Sequence, residues 1–202
     1  GALSGDKDEL DALLLVEGNA ATKNIDITNQ AITITNNAAT GITASKANDY
    51  TLATTGLVTA NIIDSERVAQ LVGLTSDAIA GGGQTADNAA LTITIAGADN
   101  TTVTAGQLNT INAGTSVAVD LSNITSLGAS TLSDLSILST AIGNSQFTSD
   151  DLIANIAIDG AAGDPTIDAG ALTTQIDNFQ GHRAQGGAVA FALTALDELE
   201  IG

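Results

Sequence analysis

Leu10 and Leu13 recur at a fixed spacing of 61 residues, as Leu71 and Leu74, Leu132 and Leu135, and Leu193 and Leu196. A period of this length limits what the chain can fold into, because one supersecondary unit must then be built several times over. The intervening residues keep the register. Ile32-Thr33-Ile34 returns as Ile93-Thr94-Ile95, with Ile156 at the third place, and Ile42-Thr43-Ala44 returns as Val103-Thr104-Ala105. Asn48 matches Asn109, Thr54 matches Thr115, Val58 matches Val119 and Ile63 matches Ile124. In the third copy the pattern slips at Gly163-Asp164-Pro165 and is recovered by Leu193. The series divides a single repeat array over 1–202 into modules 8–68, 69–129 and 130–190, with 191–202 opening a fourth.

The elements inside a module follow from local pattern. Leucines three apart share one helical face, so Asp8–Val16, Ser65–Leu74, Thr131–Leu138 and Ala188–Leu199 read as short helices. Asp64 or Ser65, and Ser130 or Thr131, stand where N-caps belong. Ala31–Thr35, Leu91–Ile95, Ile153–Ile158, Leu57–Ile63 and Val117–Ile124 alternate with period two and are rich in β-branched residues, so they read as strands. Ala44–Ala53 and Ala105–Ala113 read as second short helices. Aromatic residues make up 2% of the chain and there is no Trp, Met or Cys. A core must therefore be laid down in thin layers of Ala, Val, Ile and Leu, which suits stacked units better than one large core. The expected fold is a β-rich repeat protein, a solenoid or stacked array, with short helices in each module and edge loops at Gly81-Gly82-Gly83 and Gly160–Gly163.

Charge narrows the partners. Twenty-three acidic residues against five basic ones give a net charge of −18, which argues against nucleic acid and anionic membrane surfaces. No apolar run reaches the length of a membrane span, so no membrane insertion is expected. Neither a signal peptide nor an initiator Met is visible, which reads as a processed mature form or a segment of something longer.

Two runs, Val-Thr-Ala-Gly-Gln-Leu-Asn-Thr-Ile-Asn-Ala-Gly-Thr at Val103–Thr115 and Leu-Ala-Thr-Thr-Gly-Leu-Val-Thr-Ala at Leu52–Ala60, carry a family resemblance. They resemble the Ala/Thr-rich tandem repeats of very large surface and adhesin-like proteins of cyanobacteria and other marine bacteria. The resemblance implies an extracellular or cell-surface, non-enzymatic, repetitive protein, and it transfers no functional residue.

Few residues suggest chemistry. His182, the single histidine, has no Ser or Cys nucleophile motif beside it and sits in a polar stretch, Gln180–Arg183, read as a loop. With one His and no Cys, zinc and copper sites have too few ligands. Calcium needs only oxygen ligands and stays open, the best candidate being Asp159 with Asp164 across a Gly-rich turn. Asp6-Lys7-Asp8-Glu9 with Asp11, and Ser149-Asp150-Asp151, read as turn-forming, solvated charge. No other cofactor is expected. Gly81–Thr85 lacks the Lys and spacing of a phosphate loop. Thr33-Ile34-Thr35 and Thr92-Ile93-Thr94 resemble the outward threonine rows of β-solenoid ice binders. They are one residue out of step in the register, however, and the third copy reads Ala154-Asn155-Ile156, so β-propensity accounts for them.

These features imply no enzyme. The expected role is a structural subunit or segment of an extracellular filament, sheath or surface layer that assembles head to tail with copies of itself. The alternative is a stalk or adhesive module of a large adhesin or phage fibre. The assembly surfaces expected from the apolar ends are Leu13, Leu14 and Leu15 at one end and Val189, Phe191 and Leu193 at the other.

Overall fold

Short strands alternate with helices through a computed structural model that describes residues 2–17, 27–75, 88–159, 166–182, 189–194 and 198–200. The chain forms two units. The first comprises Gly1–Ile93 with Ala113–Val117. It runs β1 (Ala2–Gly5), α1 (Lys7–Glu17), β2 (Ala31–Ile34), a 3-10 turn (Ala38–Thr40), α2 (Ala44–Ala53), β3 (Val58–Asn61), α3 (Val68–Leu71) and β4 (Ala89–Thr92). Its four strands pair side by side in the order β1-β2-β3-β4, all parallel.

The second unit comprises Thr94–Asn112 and Ala118–Gly202. It runs from a 3-10 turn (Gly97–Asp99) through α4 (Ala105–Asn112), β5 (Val119–Asp120), β6 (Ser126–Ser130), α5 (Leu132–Gly143) and β7 (Phe147–Thr148). A further 3-10 turn (Asp150–Leu152), β8 (Asn155–Asp159), β9 (Thr166–Asp168), α6 (Ala169–His182), β10 (Ala190–Thr194) and β11 (Glu198–Glu200) complete it. Here the sheets are β10-β8-β6, β11-β9 and β5-β7, again parallel.

This is a mixed α/β fold of small parallel sheets with six α-helices among the described residues, not the expected β-rich solenoid or stacked array. The alternating segments do become strands, but each is only two to five residues long. Parallel neighbours cannot be joined by a tight hairpin. The chain must travel back to the start of the next strand, and a helix is the usual way. In the first sheet Ala2 pairs with Ala31, Ile32 with Val58 and Val58 with Ala89, steps of 29, 26 and 31 residues. The 61-residue spacing of the leucines thus covers about two such steps.

Local signals explain most helices. Thr43 caps α2 by accepting from the Lys46 N–H, and Thr131 caps α5 by accepting from the Asp134 N–H. Asp6 accepts from the N–H groups of Asp8 and Glu9, while Glu9 Oε2 accepts from the Asp6 N–H, a reciprocal capping box on α1. The Asp64/Ser65 cap does not form. α3 begins after Arg67 without a side-chain cap. Within the fourth leucine segment Ala190–Thr194 is not helical but strand β10, in register with Asn155–Asp159 of β8; residues 188 and 195–197 lie outside the described residues. An Ala-Phe-Ala-Leu-Thr sequence fits a strand as well as a helix, and the waiting partner decides.

The core is aliphatic, with Tyr50, Phe147 and Phe179 as its large rings. In the first sheet Ile32, Ile34, Val58, Ala60, Ala89 and Leu91 point inward, while Thr33, Thr59 and Thr92 point out. Leu10, Leu71 and Leu135 are buried on α1, α3 and α5, and Leu132 is half-buried. Polar side chains fasten one step to the next. Thr54 Oγ1 donates to the Gln30 carbonyl at 2.6 Å, and Thr115 Oγ1, 61 residues on, donates to the Leu91 carbonyl at 2.8 Å. Asn48 Nδ2 donates to the Gly73 carbonyl and Asn109 Nδ2 to the Asp134 carbonyl, each reaching 25 residues ahead. At Gly41 and Gly56 a Cβ would strike the carbonyl oxygens of Asn61 and Gln30, so only glycine lets these backbones meet.

Candidate functional site

The sheet borders are the first candidate. β1 is an outer strand of its sheet, and its backbone polarity is fixed by one bond: the Thr35 N–H donates to the Gly5 carbonyl. In a strand, alternate residues turn their N–H and C=O to opposite sides. Gly5 and Leu3 therefore face β2, and Ala2 and Ser4 direct theirs away from the sheet. In the second unit β10 is likewise outermost. The Ala190 N–H donates to the Ala154 carbonyl, so Ala190 and Ala192 face β8, and Phe191 and Leu193 face away. Such borders are ready templates for another strand.

The residues expected at the assembly surfaces fall on these elements or beside them. Leu13 is half-buried on α1; Leu14 and Leu15 lie on the same helix, their side chains outside the described residues. Val189 is buried, and Phe191 is half-buried on β10 opposite Ile156. Leu193 pairs with Ile158, its side chain also outside the described residues.

The acidic candidates have structural partners. Within Asp6–Asp11, Asp6 and Glu9 cap α1, the Lys7 ammonium lies 2.7 Å from Asp8, and Lys46 lies 3.2 Å from Asp11. Tyr50, fully buried, donates its hydroxyl to Asp11 Oδ1 at 2.8 Å. Burial, aided by that carboxylate, pushes the Tyr50 hydroxyl far above its ordinary pKa of 10.0. Asp159 is half-buried at the end of β8, opposite Thr194; Asp164 and Gly81–Gly83 lie outside the described residues. Among the described residues no three His, Cys, Asp or Glu side chains gather as a metal set. His182 is not in a loop but ends α6, where it works against the burial that raises the Asp150 carboxyl above 3.8.

Between α4 and α5, wholly in the second unit, lies an open groove of about 300 Å³ lined by Asn109, Asn112, Ser136, Ile137, Thr140 and Asn144, among others. Ile137 is 54% exposed there. Asn112 Nδ2 donates to Gln146 Oε1 at 3.0 Å, and Asn109 Oδ1 is buried without a partner. Among the described residues the lining is amide, hydroxyl and alkyl, so it offers hydrogen bonds and no titratable side chain. Sequence reasoning missed the groove and the Asp11–Tyr50–Lys46 cluster. The 61-residue pairing of Asn48 with Asn109 was the one available signal for the groove.

Comparison with protein-family models, with curated proteins and with solved structures gave no match. Among the described residues no helix is long and apolar enough to cross a membrane.

Proposed function

We propose that this chain is a structural, self-associating building block of an extracellular filament, sheath or surface layer, in which copies join head to tail along strand borders. The reading rests on one observation: β1 and β10 are outer strands of parallel sheets, each with alternate backbone groups directed away from its partner. A strand that meets such a border gains main-chain hydrogen bonds without needing a pocket. Contact between two different borders is head to tail, and such contacts build open fibres where the rotation does not close into a ring. The charge of −18 holds copies apart until salt shortens the reach of their repulsion to about 8 Å at physiological ionic strength. In the alternative reading, a stalk or adhesive module of a large adhesin or phage fibre, adjoining segments of the same polypeptide cover the two borders.

Light scattering and electron microscopy across protein and salt concentration test the proposal. The wild-type chain should grow into fibres as salt rises. Ser4→Pro removes an N–H directed away from β2 and keeps the β1–β2 ladder, as proline on an outer strand allows, so it should stay monomeric. Phe191→Asp with Leu193→Asp should do the same at the other border. A wild-type chain that remains monomeric throughout sinks the filament reading. Native material made of one giant polypeptide would establish the alternative.

A further inference from the structure

We propose that the outward face of the β1–β4 sheet is a binding surface for ice. The inference is independent of the assembly reading, because it uses the side chains of one sheet face rather than its borders. The 61-residue register sets Thr33 against Thr94 and leaves the threonine triplets out of step. The sheet sets them differently: Ser4, Thr33, Thr59 and Ala90 are successive partners across β1, β2, β3 and β4. Two residues further along the strands, Asn61 pairs with Thr92, and Thr35 continues β2 on the same side. Ser4, Thr33, Thr35, Thr59 and Thr92 are exposed; Ala90 and Asn61 are half-buried.

The result is a two-row grid whose spacings are set by backbone geometry. Neighbouring strands lie about 4.7–4.9 Å apart and alternate residues along a strand about 6.6–6.8 Å apart. Those repeats are close to the spacings between oxygen atoms on faces of hexagonal ice.

Three observations favour ice over another occupant. First, the hydroxyls are unengaged. Thr40, Thr51, Thr54, Thr55, Thr75, Thr102, Thr110 and Thr115 all hydrogen-bond through their side chains, whereas Thr33, Thr35, Thr59 and Thr92 bond nothing through theirs among the described residues. Second, the grid carries no charge in a chain of net charge −18, and ice is an uncharged solid that excludes strongly hydrated ions. Third, threonine is stiff at χ1, so the methyl and hydroxyl positions are largely set before binding and little side-chain entropy is lost. Asn61, the longest side chain of the grid, is tied down by donating to the Asn36 carbonyl at 2.8 Å. A sugar would favour aromatic anchors, and β1–β4 carry no aromatic side chain; Leu57, 45% exposed and two residues before Thr59, flanks the grid on the same face.

Partition of the chain into a slowly growing ice front, together with the shape of single ice crystals grown in its presence, tests the proposal. The wild-type chain should concentrate in the ice and facet the crystals. Thr59→Tyr, at the middle of the grid, should lose both effects while its melting curve is unchanged. Thr33→Lys provides a second lesion should the first disturb the fold. Leu52→Tyr, at a side chain 61% exposed on α2 and off the sheet, should behave as wild type. Exclusion of the wild-type chain from ice overturns the proposal, and so does full retention of ice binding by folded Thr59→Tyr and Thr33→Lys. Either result leaves the assembly reading untouched, since fibre growth is read by Ser4→Pro.

Discussion

Tyr50→Phe isolates one polar contact in a largely aliphatic core. The ring of Tyr50 is fully buried, and its hydroxyl donates to Asp11 Oδ1 at 2.8 Å, tying α2 to α1. A hydrogen bond to a charged group contributes about 1.5–3 kcal/mol. Asp11 keeps a second partner, Lys46 at 3.2 Å, and its side chain is 30% exposed, so water can replace part of what is lost. The expected loss is therefore at the low end, about 1.5 kcal/mol, or roughly 3–6 °C in melting temperature for a chain of this size. The pH dependence gives a sharper signature. Burial holds the Tyr50 hydroxyl protonated well above its ordinary value of 10.0. The unfolded chain releases that proton near pH 10, so the contribution of the hydroxyl is complete below about pH 10 and is lost as pH rises further. Phenylalanine has no proton to release. Urea unfolding followed by far-UV circular dichroism should show the variant less stable at pH 7 and the gap closing above about pH 10. Equal stability at pH 7, or a gap that stays constant into the alkaline range, would refute this account of the cluster.

Leu71→Ala, at a side chain with 0% exposure, should cost about 2–5 kcal/mol through the cavity it leaves, measured by the same denaturation. Asn48→Ala should cost more than Asn109→Ala. Asn48 holds the Gly73 carbonyl and the Thr75 N–H and hydroxyl, whereas Asn109 holds the Asp134 carbonyl while its buried Oδ1 goes unpaired. Asp150→Asn should raise the melting temperature at pH 7. Burial raises the folded carboxyl above 3.8, so ionisation costs folded stability as pH rises, and the gain should vanish in acid where both states are protonated.

Local features were legible in the sequence because they are decided within a few residues. The cap at Thr131 and the helix after it needed only their own side chains. The inward alternation of Ile32, Ile34, Val58 and Ala60 was visible as period two. What failed depended on partners far away. Phe191 and Leu193 were read on a leucine register as helical, but Ile156 and Ile158 of β8 draw them into a strand. α6 was hidden by its Gln, Asn, Thr and Gly content after an insertion. The β-rich expectation placed five strand segments, missed others such as β1, β6 and β10, and underweighted the crossover helices that parallel pairing demands. Of the sites, the sheet borders and the threonine grid rest on registers between residues some thirty apart, which no 61-residue comparison could display.

The nearly even reach of strand pairing also shapes how such a chain acquires its form. Ala31 settles against Ala2, Val58 against Ile32 and Ala89 against Val58, so each new strand needs only the one made just before it. Closing segments of similar length costs a similar amount of chain entropy each time, since that cost changes only slowly with length. In the first unit no pairing must wait for the end of synthesis. A growing polypeptide can add one strand and one helix at a time as it emerges, each addition covering the apolar face left by the last, with little adhesive surface bare at any moment. For a chain rich in alanine, leucine and isoleucine, that order of events protects against aggregation before the molecule is complete.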